Sequence, residues 1–179
     1  GAAIEAESEG HSDDVNALVT FVDPATGALR VATGSDDSTI RVWDAETGEE
    51  LLVIKVGLNV NALAFFTDPA TGVPRLACGT SKYIRETQSS IGDVRIFDPV
   101  AGGEALIVIE AGSEVNALAF FTDPATGAPR LACGTSNRWK GDVRVFNPIA
   151  GGEALVVINV ASWVRALAFF ADPATGAPR

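Results

Sequence analysis

The sequence repeats itself. Residues 60–81 read VNALAFFTDPATGVPRLACGTS, and residues 115–136 read the same except that alanine replaces one valine. Residues 15–35 are a looser copy, and residues 164–179 repeat the first part of the unit, VRALAFFADPATGAPR. Successive copies start about 45 to 55 residues apart, a period typical of supersecondary units. Because such a unit cannot bury its own faces, the sequence predicts a stacked repeat architecture.

Each copy is predicted to form four short β-strands. Residues 15–22 are apolar on both faces, as in a strand buried between two layers. The motif DPATG at 23–27 favours a turn, because proline fixes φ and glycine adopts positive φ. Further strands are predicted at 29–34, 39–44 and 51–56, and no helical period competes with them. Four antiparallel strands in this period indicate an all-β fold, a β-propeller built of four-stranded blades.

The chain is predicted to be a single propeller module or fragment, residues 1–179, with about three complete blades and parts of a further one. The predicted bounds are about 14–56 for blade 1, about 59–110 for blade 2, about 114–159 for blade 3, and 163–179 for a partial blade, with 2–8 as a candidate outer strand. Open sheet edges at both ends invite pairing. About fourteen predicted strands per chain make about seven blades in two copies, so we expect a homo-oligomer, with a dimer favoured, that completes the ring.

Composition limits the class of partner. The formal net charge is −10, and a negative field disfavours nonspecific binding to nucleic acid or to an anionic membrane. No stretch of about eighteen apolar residues is present, so we expect no transmembrane helix. Cys78 and Cys133 occupy the same position in two copies, and we expect both to be buried free thiols. Reduced thiols favour a cytoplasmic location.

The first copy carries the motifs of a known family. Gly10-His11 precedes the first strand, Thr33-Gly34-Ser35 and Asp37 follow, and Trp43-Asp44 ends the third strand. This pattern resembles the WD-repeat family, whose units open with Gly-His and close with Trp-Asp. In period and pattern the resemblance covers essentially the whole chain, whereas the complete motif occurs in one copy.

The resemblance implies a structural network in the first blade. In the family, a His, a Ser or Thr, an Asp and a Trp are joined by hydrogen bonds, and the matching residues are His11, Thr33, Asp37 and Trp43. We interpret His11, the only histidine of the chain, as structural.

The two later copies lack these residues. Cysteine replaces the threonine at Cys78 and Cys133, and phenylalanine replaces the tryptophan at Phe97 and Phe146. Losing one partner strands a buried polar group at a cost of about 1–3 kcal/mol, whereas losing all partners is nearly neutral. We therefore expect the whole network to be absent from these copies.

No catalytic constellation is evident. The sequence has no phosphate-binding GxxxxGK[ST], no GxSxG, and no His or Cys pair at metal-ligand spacing. Asp13-Asp14 and Asp36-Asp37 lack the spacing of a calcium loop, so turn capping is the preferred interpretation. We expect no enzymatic activity, no metal and no cofactor.

The two faces of the predicted ring differ. The first and third connections of an antiparallel blade emerge on one face, where the turns are nearly uniform. The second connections emerge on the other face, and two of them are long loops, residues 81–92 (SKYIRETQSSIG) and 136–141 (SNRWKG). Aromatic residues and arginine are enriched at binding hot spots. The candidate binding face comprises Lys82, Tyr83, Arg85, Arg138, Trp139, Lys140, Trp163 and Arg165.

The sequence favours a non-enzymatic protein-interaction scaffold that binds a protein partner through this loop face, the function that the family resemblance implies. One alternative is a glycan-binding propeller in which Trp139 and Trp163 stack on sugars. Another is a purely structural, self-assembling repeat module, which the near-identity of 60–81 and 115–136 favours. The alternative interpretation of the candidate binding face itself is that these are solvated loops, with Trp163 packed on a neighbouring blade.

Overall fold

A computed structural model describes residues 10–137 and 140–169 of the chain. These ranges contain thirteen β-strands arranged in three antiparallel sheets, which confirms the predicted fold class. They include no helix long and apolar enough to cross a membrane. The candidate strand at 2–8 and residues 170–179 of the partial blade lie outside the described residues, so the division of the whole chain stays a prediction.

Blade 1 is a four-stranded sheet whose strands are neighbours in chain order. Its strands are β1 (Val15–Val22), β2 (Leu29–Ser35), β3 (Thr39–Asp44) and β4 (Glu50–Lys55). The turn between β1 and β2 is built by its own sequence. The Asp23 carboxylate accepts a hydrogen bond from the Ala25 amide at 2.9 Å, and Gly27 adopts a φ of +73°.

Blade 2 has four strands in its main path and a fifth beside them. Its strands are β5 (Asn59–Thr67), β6 (Pro74–Ile84), β7 (Ser89–Ile91), β8 (Asp93–Phe97) and β9 (Ile107–Glu110). The sheet order is β5-β6-β8-β9, and β7 pairs with the outer part of β6. The prediction of a loop over 81–92 is therefore wrong for most of its length, because β6 continues to Ile84 and returns as a hairpin.

Blade 3 repeats the arrangement of blade 1. Its strands are β10 (Glu114–Thr122), β11 (Pro129–Ser136), β12 (Gly141–Phe146) and β13 (Val156–Val160). No strand is formed in residues 163–169, the described part of the predicted partial blade. The physical reason is that the segment forms no ladder with a described strand: the backbone hydrogen bond from the Val164 amide to the Thr135 carbonyl of β11 is 3.5 Å long.

Each pair of adjacent blades encloses one hydrophobic core. We call the side of a blade that faces the following blade its forward face, and the opposite side its backward face. Between blades 1 and 2, the forward residues Ile40 and Ile54 pack with the backward residues Leu76 and Phe97. Equivalent residues form the core between blades 2 and 3. The inner strand β5 is apolar on both sides because it lies between these two cores.

Glycine sets the distance between blades. A Cβ on Gly34 would lie 2.4 Å from Cγ1 of Val60, and one on Gly79 would lie 2.5 Å from Cγ1 of Val115. No real Cβ is found that close to another carbon, so both positions need a residue without a side chain. The repeated motif of β2, β6 and β11 therefore carries glycine because the next blade presses against it.

Candidate protein-interaction face

The hairpin of blade 2 extends beyond the sheet, and we call residues 82–91 the arm. Lys82 pairs with Ile91, Tyr83 with Ser90, and Ile84 with Ser89. Residues 85–88 form the turn, in which Gln88 has a positive φ of 49°. Apolar and β-branched residues on both sides of this turn favour strand pairing, which is why the segment folds as a ribbon.

The arm presents basic and aromatic side chains to solvent. Tyr83 is 60% exposed, and Lys82 and Arg85 are also exposed. The structure brings these three predicted residues together on one hairpin. They form a local basic and aromatic surface on a chain whose net charge is −10.

The base of the arm is anchored by a polar network that the sequence did not suggest. The Thr80 hydroxyl donates to the Asp93 carboxylate at 2.6 Å, and Arg95 donates to the same carboxylate at 2.8 and 2.9 Å. Arg95 also donates to the Val56 carbonyl at 2.7 Å, so it connects blade 2 to the end of blade 1. The hydrogen bond to Asp93 raises the pKa of Arg95 above its usual value.

The same network occurs in blade 3. Thr135 donates to Asp142 at 2.6 Å, and Arg144 donates to both carboxylate oxygens of Asp142 at 2.9 Å. Burial alone would raise the pKa of Asp142, but hydrogen bonds from Arg144 and Thr135 outweigh burial and lower it. The sequence holds a signal for this network, since GDVR occurs at 92–95 and at 141–144. Blades 2 and 3 therefore contain a different polar network in place of the one they lack.

Blade 1 contains the hydrogen bonds that the family resemblance implies. His11 Nδ1 lies 2.8 Å from the Asp37 carboxylate, and His11 Nε2 lies 2.7 Å from the Thr33 hydroxyl. Trp43 Nε1 donates to the same hydroxyl at 2.8 Å. Burial acts to raise the pKa of Asp37, but hydrogen bonds from Thr39 and His11 prevail and lower it to about 2. Thr33 is the centre of the network because it binds both rings.

We expect Thr33→Val to lower the free energy of unfolding by about 1–3 kcal/mol, because it leaves the Trp43 indole and the His11 ring without their shared partner. The matched control is Thr67→Val, an exposed threonine at a strand end, for which we expect a change within about 0.5 kcal/mol. Urea unfolding measures both values. Equal losses in the two variants would show that the network contributes no stability.

In the second connection of blade 3, Asn137 and Lys140 form an antiparallel bridge. Asn137 and Lys140 exchange two backbone hydrogen bonds of 2.7 Å, and the intervening Arg138 and Trp139 lie outside the described residues. Lys140 lines an open cavity of about 670 Å³ together with Asp142 and Arg144. This connection thus places at least one predicted basic residue on the same face as the arm.

Trp163 and Arg165 contact each other. The Arg165 guanidinium carbon lies 5.1 Å from the centre of the Trp163 ring, within the range of a cation–π interaction. Trp163 is exposed, and it lies shortly after the last strand of blade 3. The structure therefore places these two predicted residues beside each other but on a different part of the chain from the arm.

Arg165 matches a position that carries asparagine in the three blades. The inner strands shift register at Asn16, Asn61 and Asn116, so each asparagine forms a β-bulge. Asn61 donates to the Asn116 side chain at 3.1 Å, and Asn16 donates to the Val60 carbonyl at 3.4 Å. The amides of Asn16 and Asn61 thus reach the following blade, whereas the Asn116 amide donates to Glu114 and Ser136 of its own blade.

The cysteines lie in the cores between blades. Cys78 and Cys133 are buried and unpaired, as expected from the sequence. Burial raises the pKa of each thiol to about 12. Neither thiol is therefore ionised near neutral pH, and ionisation is what makes cysteine reactive. Within the described ranges, no group of three or more His, Cys, Asp or Glu side chains is placed to hold a metal ion.

Three stacked, four-stranded antiparallel blades define a β-propeller repeat protein. A family model, the WD domain, G-beta repeat, matches residues 5–44, which include the His11 network. A comparison with curated proteins finds no match. The resemblance to the WD-repeat family is therefore confirmed for residues 5–44, whereas the later, nearly identical copies lack the complete motif.

Two solved structures are similar to the chain. The crystal structure of the computationally designed Ika4 protein is 25% identical, with a TM-score of 0.65, over 95% of this chain and 88% of that one. The crystal structure of Saccharomyces cerevisiae Sqt1 is 16% identical, with a TM-score of 0.67, over 89% of this chain. This chain spans 42% of the Sqt1 chain, and that likeness shows the fold alone.

Proposed function

We propose that the chain is a non-enzymatic scaffold that binds a protein partner through the face carrying the arm and the connection at 136–141. WD repeats generally mediate protein–protein interactions. The observation that carries the proposal is the arm itself, a β-ribbon on which Tyr83 is 60% exposed and Lys82 and Arg85 are also exposed. Nothing in the packing of blade 2 requires this ribbon, because the blade is complete without it.

The residue types of the arm support a protein partner. Tyrosine and arginine are enriched at the energetic centres of protein interfaces. The overall negative charge disfavours nucleic acid and anionic membrane as partners. Lys140 adds a cation from the neighbouring blade, and Arg138, Trp139, Trp163 and Arg165 are the remaining predicted members of the face. Free buried thiols support a reducing, cytoplasmic location as part of the proposal.

The test compares two alanine variants on opposite faces. We expect Tyr83→Ala to reduce partner recovery at least about tenfold, the loss typical of an interface hot spot. Val100→Ala is the matched control, because Val100 is an exposed residue in a turn of the uniform face. Quantitative mass spectrometry of proteins captured by each immobilised variant measures the difference. Equal recovery by Tyr83→Ala and Val100→Ala would refute the arm as the binding face.

We also propose that the scaffold acts as a homo-oligomer, with a dimer favoured, that completes the ring. The supporting observation is that the outward sides of blades 1 and 3 expose large apolar residues, among them Leu18 and Ile158. A closed ring removes such surfaces and the open sheet edges beside them.

A further inference from the structure

The backward face of blade 1 exposes residues that are buried in the other two blades. Val15 is 53% exposed, whereas Val60 and Val115 at the same position are fully buried. Leu18 is 63% exposed, whereas Leu63 at the same position packs against the core between blades 1 and 2. The backward face of blade 1 therefore has the apolar surface of an inter-blade interface, and no blade of the described residues lies against it.

The forward face of blade 3 shows the complementary difference. Ile158 is 53% exposed, whereas Ile54 and Ile109 at the same position are 1% exposed. Its strand neighbour Val157 is exposed, and so are Val53 and Val108 at the position equivalent to Val157. In this strand, exposure therefore differs between blades at Ile158, the position that the following blade covers in blades 1 and 2. It does not differ at Val157.

We propose that two copies of this chain bind head to tail, with the backward face of blade 1 in each copy packed on the forward face of blade 3 in the other. The two surfaces are the two halves of an interface that the structure already forms twice within the chain. Three blades from each copy give a closed ring of about six blades, one fewer than the sequence predicts because residues 163–169 form no strand, and within the range of four to eight found in propellers. The proposal rests on the homo-oligomer proposed above and deepens it by naming both surfaces.

The segment 164–169 occupies part of the site that the partner copy takes. A Cβ on Gly134 would lie 2.4 Å from Cγ1 of Val164, the contact that Gly34 makes with Val60. Phe169 stacks on Phe121 with ring centres 5.2 Å apart. The segment has no strand pairing among the described residues, whereas β1 of a second copy arrives with a complete sheet. In the dimer, β1 of the partner therefore displaces this segment from blade 3.

The contact is heterologous, because different surfaces of the two copies meet. Such a contact closes a ring only if the second pair of surfaces meets when the first does, and otherwise forms open chains. Closure after two copies therefore predicts one species of twice the chain mass, without larger members.

The test begins with size-exclusion chromatography and light scattering of the full chain. We expect twice the mass of one chain, and we expect Leu18→Glu and Ile158→Glu each to raise the dissociation constant at least about 100-fold. Val22→Glu and Val157→Glu are the matched controls, because both residues occupy positions that are exposed in all three blades. The position of Val22 is exposed at Thr67 and Thr122 as well, and the position of Val157 is exposed at Val53 and Val108. Neither control is expected to change the mass. Circular dichroism verifies that all four variants remain folded.

Mixing the two interface variants tests the head-to-tail arrangement. The Ile158→Glu variant retains an intact blade 1 surface, and the Leu18→Glu variant retains an intact blade 3 surface. An equimolar mixture is therefore expected to form a 1:1 dimer in which these two intact surfaces bind each other. Each variant alone is expected to stay monomeric. A dimer formed by one variant alone would instead indicate that identical surfaces pair, and would overturn the proposal.

The interface variants are expected to weaken self-association, whereas a variant that loosens residues 164–169 is expected to strengthen it. Val164→Asp weakens the packing of residues 164–169 on the forward face of blade 3, so it is expected to lower the dissociation constant of the dimer. A higher dissociation constant would overturn the proposal that the partner displaces this segment. A monomeric wild type at all concentrations would overturn both the dimer and its surfaces, whereas a dimer insensitive to Leu18→Glu would overturn the surfaces alone. Partner capture by the folded Leu18→Glu monomer is measured separately, and its dependence on Tyr83 reports on the scaffold function alone.

Discussion

The Gly92→Ala variant is expected to lose at least about 3 kcal/mol of its free energy of unfolding. A Cβ on Gly92 would lie 2.2 Å from the Thr80 carbonyl oxygen and 2.9 Å from that of Ser113. Both are backbone atoms, so a small side-chain movement does not relieve the clash. Gly92 lies where the arm returns to blade 2, and the clash separates the base of the arm from the connection to blade 3.

The control for this variant is Gly10→Ala. No heavy atom lies within 4 Å of a Cβ at Gly10, so we expect a change within about 0.5 kcal/mol. Chemical denaturation followed by tryptophan fluorescence measures both variants. A stable Gly92→Ala variant would mean that the close approach of the three backbone segments is incorrect.

The second large effect is expected from Phe97→Ala, at about 3–5 kcal/mol. Phe97 is 2% exposed and lies in the core between blades 1 and 2, so its removal leaves a cavity as well as losing apolar burial. Phe97 also occupies the position of Trp43 in blade 1. The ring therefore stabilises the contact between two blades as well as the blade that contains it.

Phe169→Ala is the matched control for Phe97→Ala. Phe169 is 39% exposed and stacks on a single ring, so we expect a loss of about 1 kcal/mol or less. Thermal and chemical unfolding of the two variants give the comparison. A loss for Phe97→Ala no larger than for Phe169→Ala would contradict the assigned inter-blade core.

The inner strands and their turns were predictable because their signals are local. The bounds of β1 and β3 agree with the predicted 15–22 and 39–44. DPATG ends the inner strand at its three described occurrences, since aspartate caps the turn through its own carboxylate and glycine supplies the positive φ. Because the copies are similar in sequence, the strands predicted for one copy also predicted those of the other copies.

The arm was not predictable from turn residues. Its turn at 85–88 contains neither glycine nor proline, and the positive φ belongs to Gln88. The Thr80–Asp93–Arg95 network was missed for a different reason. Its threonine and aspartate are far apart in the sequence and meet only through the pairing of β6 with β8. The equivalent residues of blade 1 gave no guide, because they belong to another network.

The segment 164–169 shows the limit of repetition as a predictor. Its sequence is that of an inner strand, and it packs on blade 3 as an inner strand does. Strand formation depends on a hydrogen-bonded neighbour, which the sequence of the segment itself does not provide. Exposure of Val15, Leu18 and Ile158 depends in the same way on what lies beside each end blade.

The most direct test of the scaffold function is site-specific photo-crosslinking on the two faces. A photo-crosslinking amino acid is placed at position 83 on the arm or at position 100 on the opposite face, both exposed in the structure. The proposed function predicts a discrete protein adduct from position 83 and none from position 100. An adduct from position 100 alone, or equal adducts from both positions, would contradict binding through the arm face.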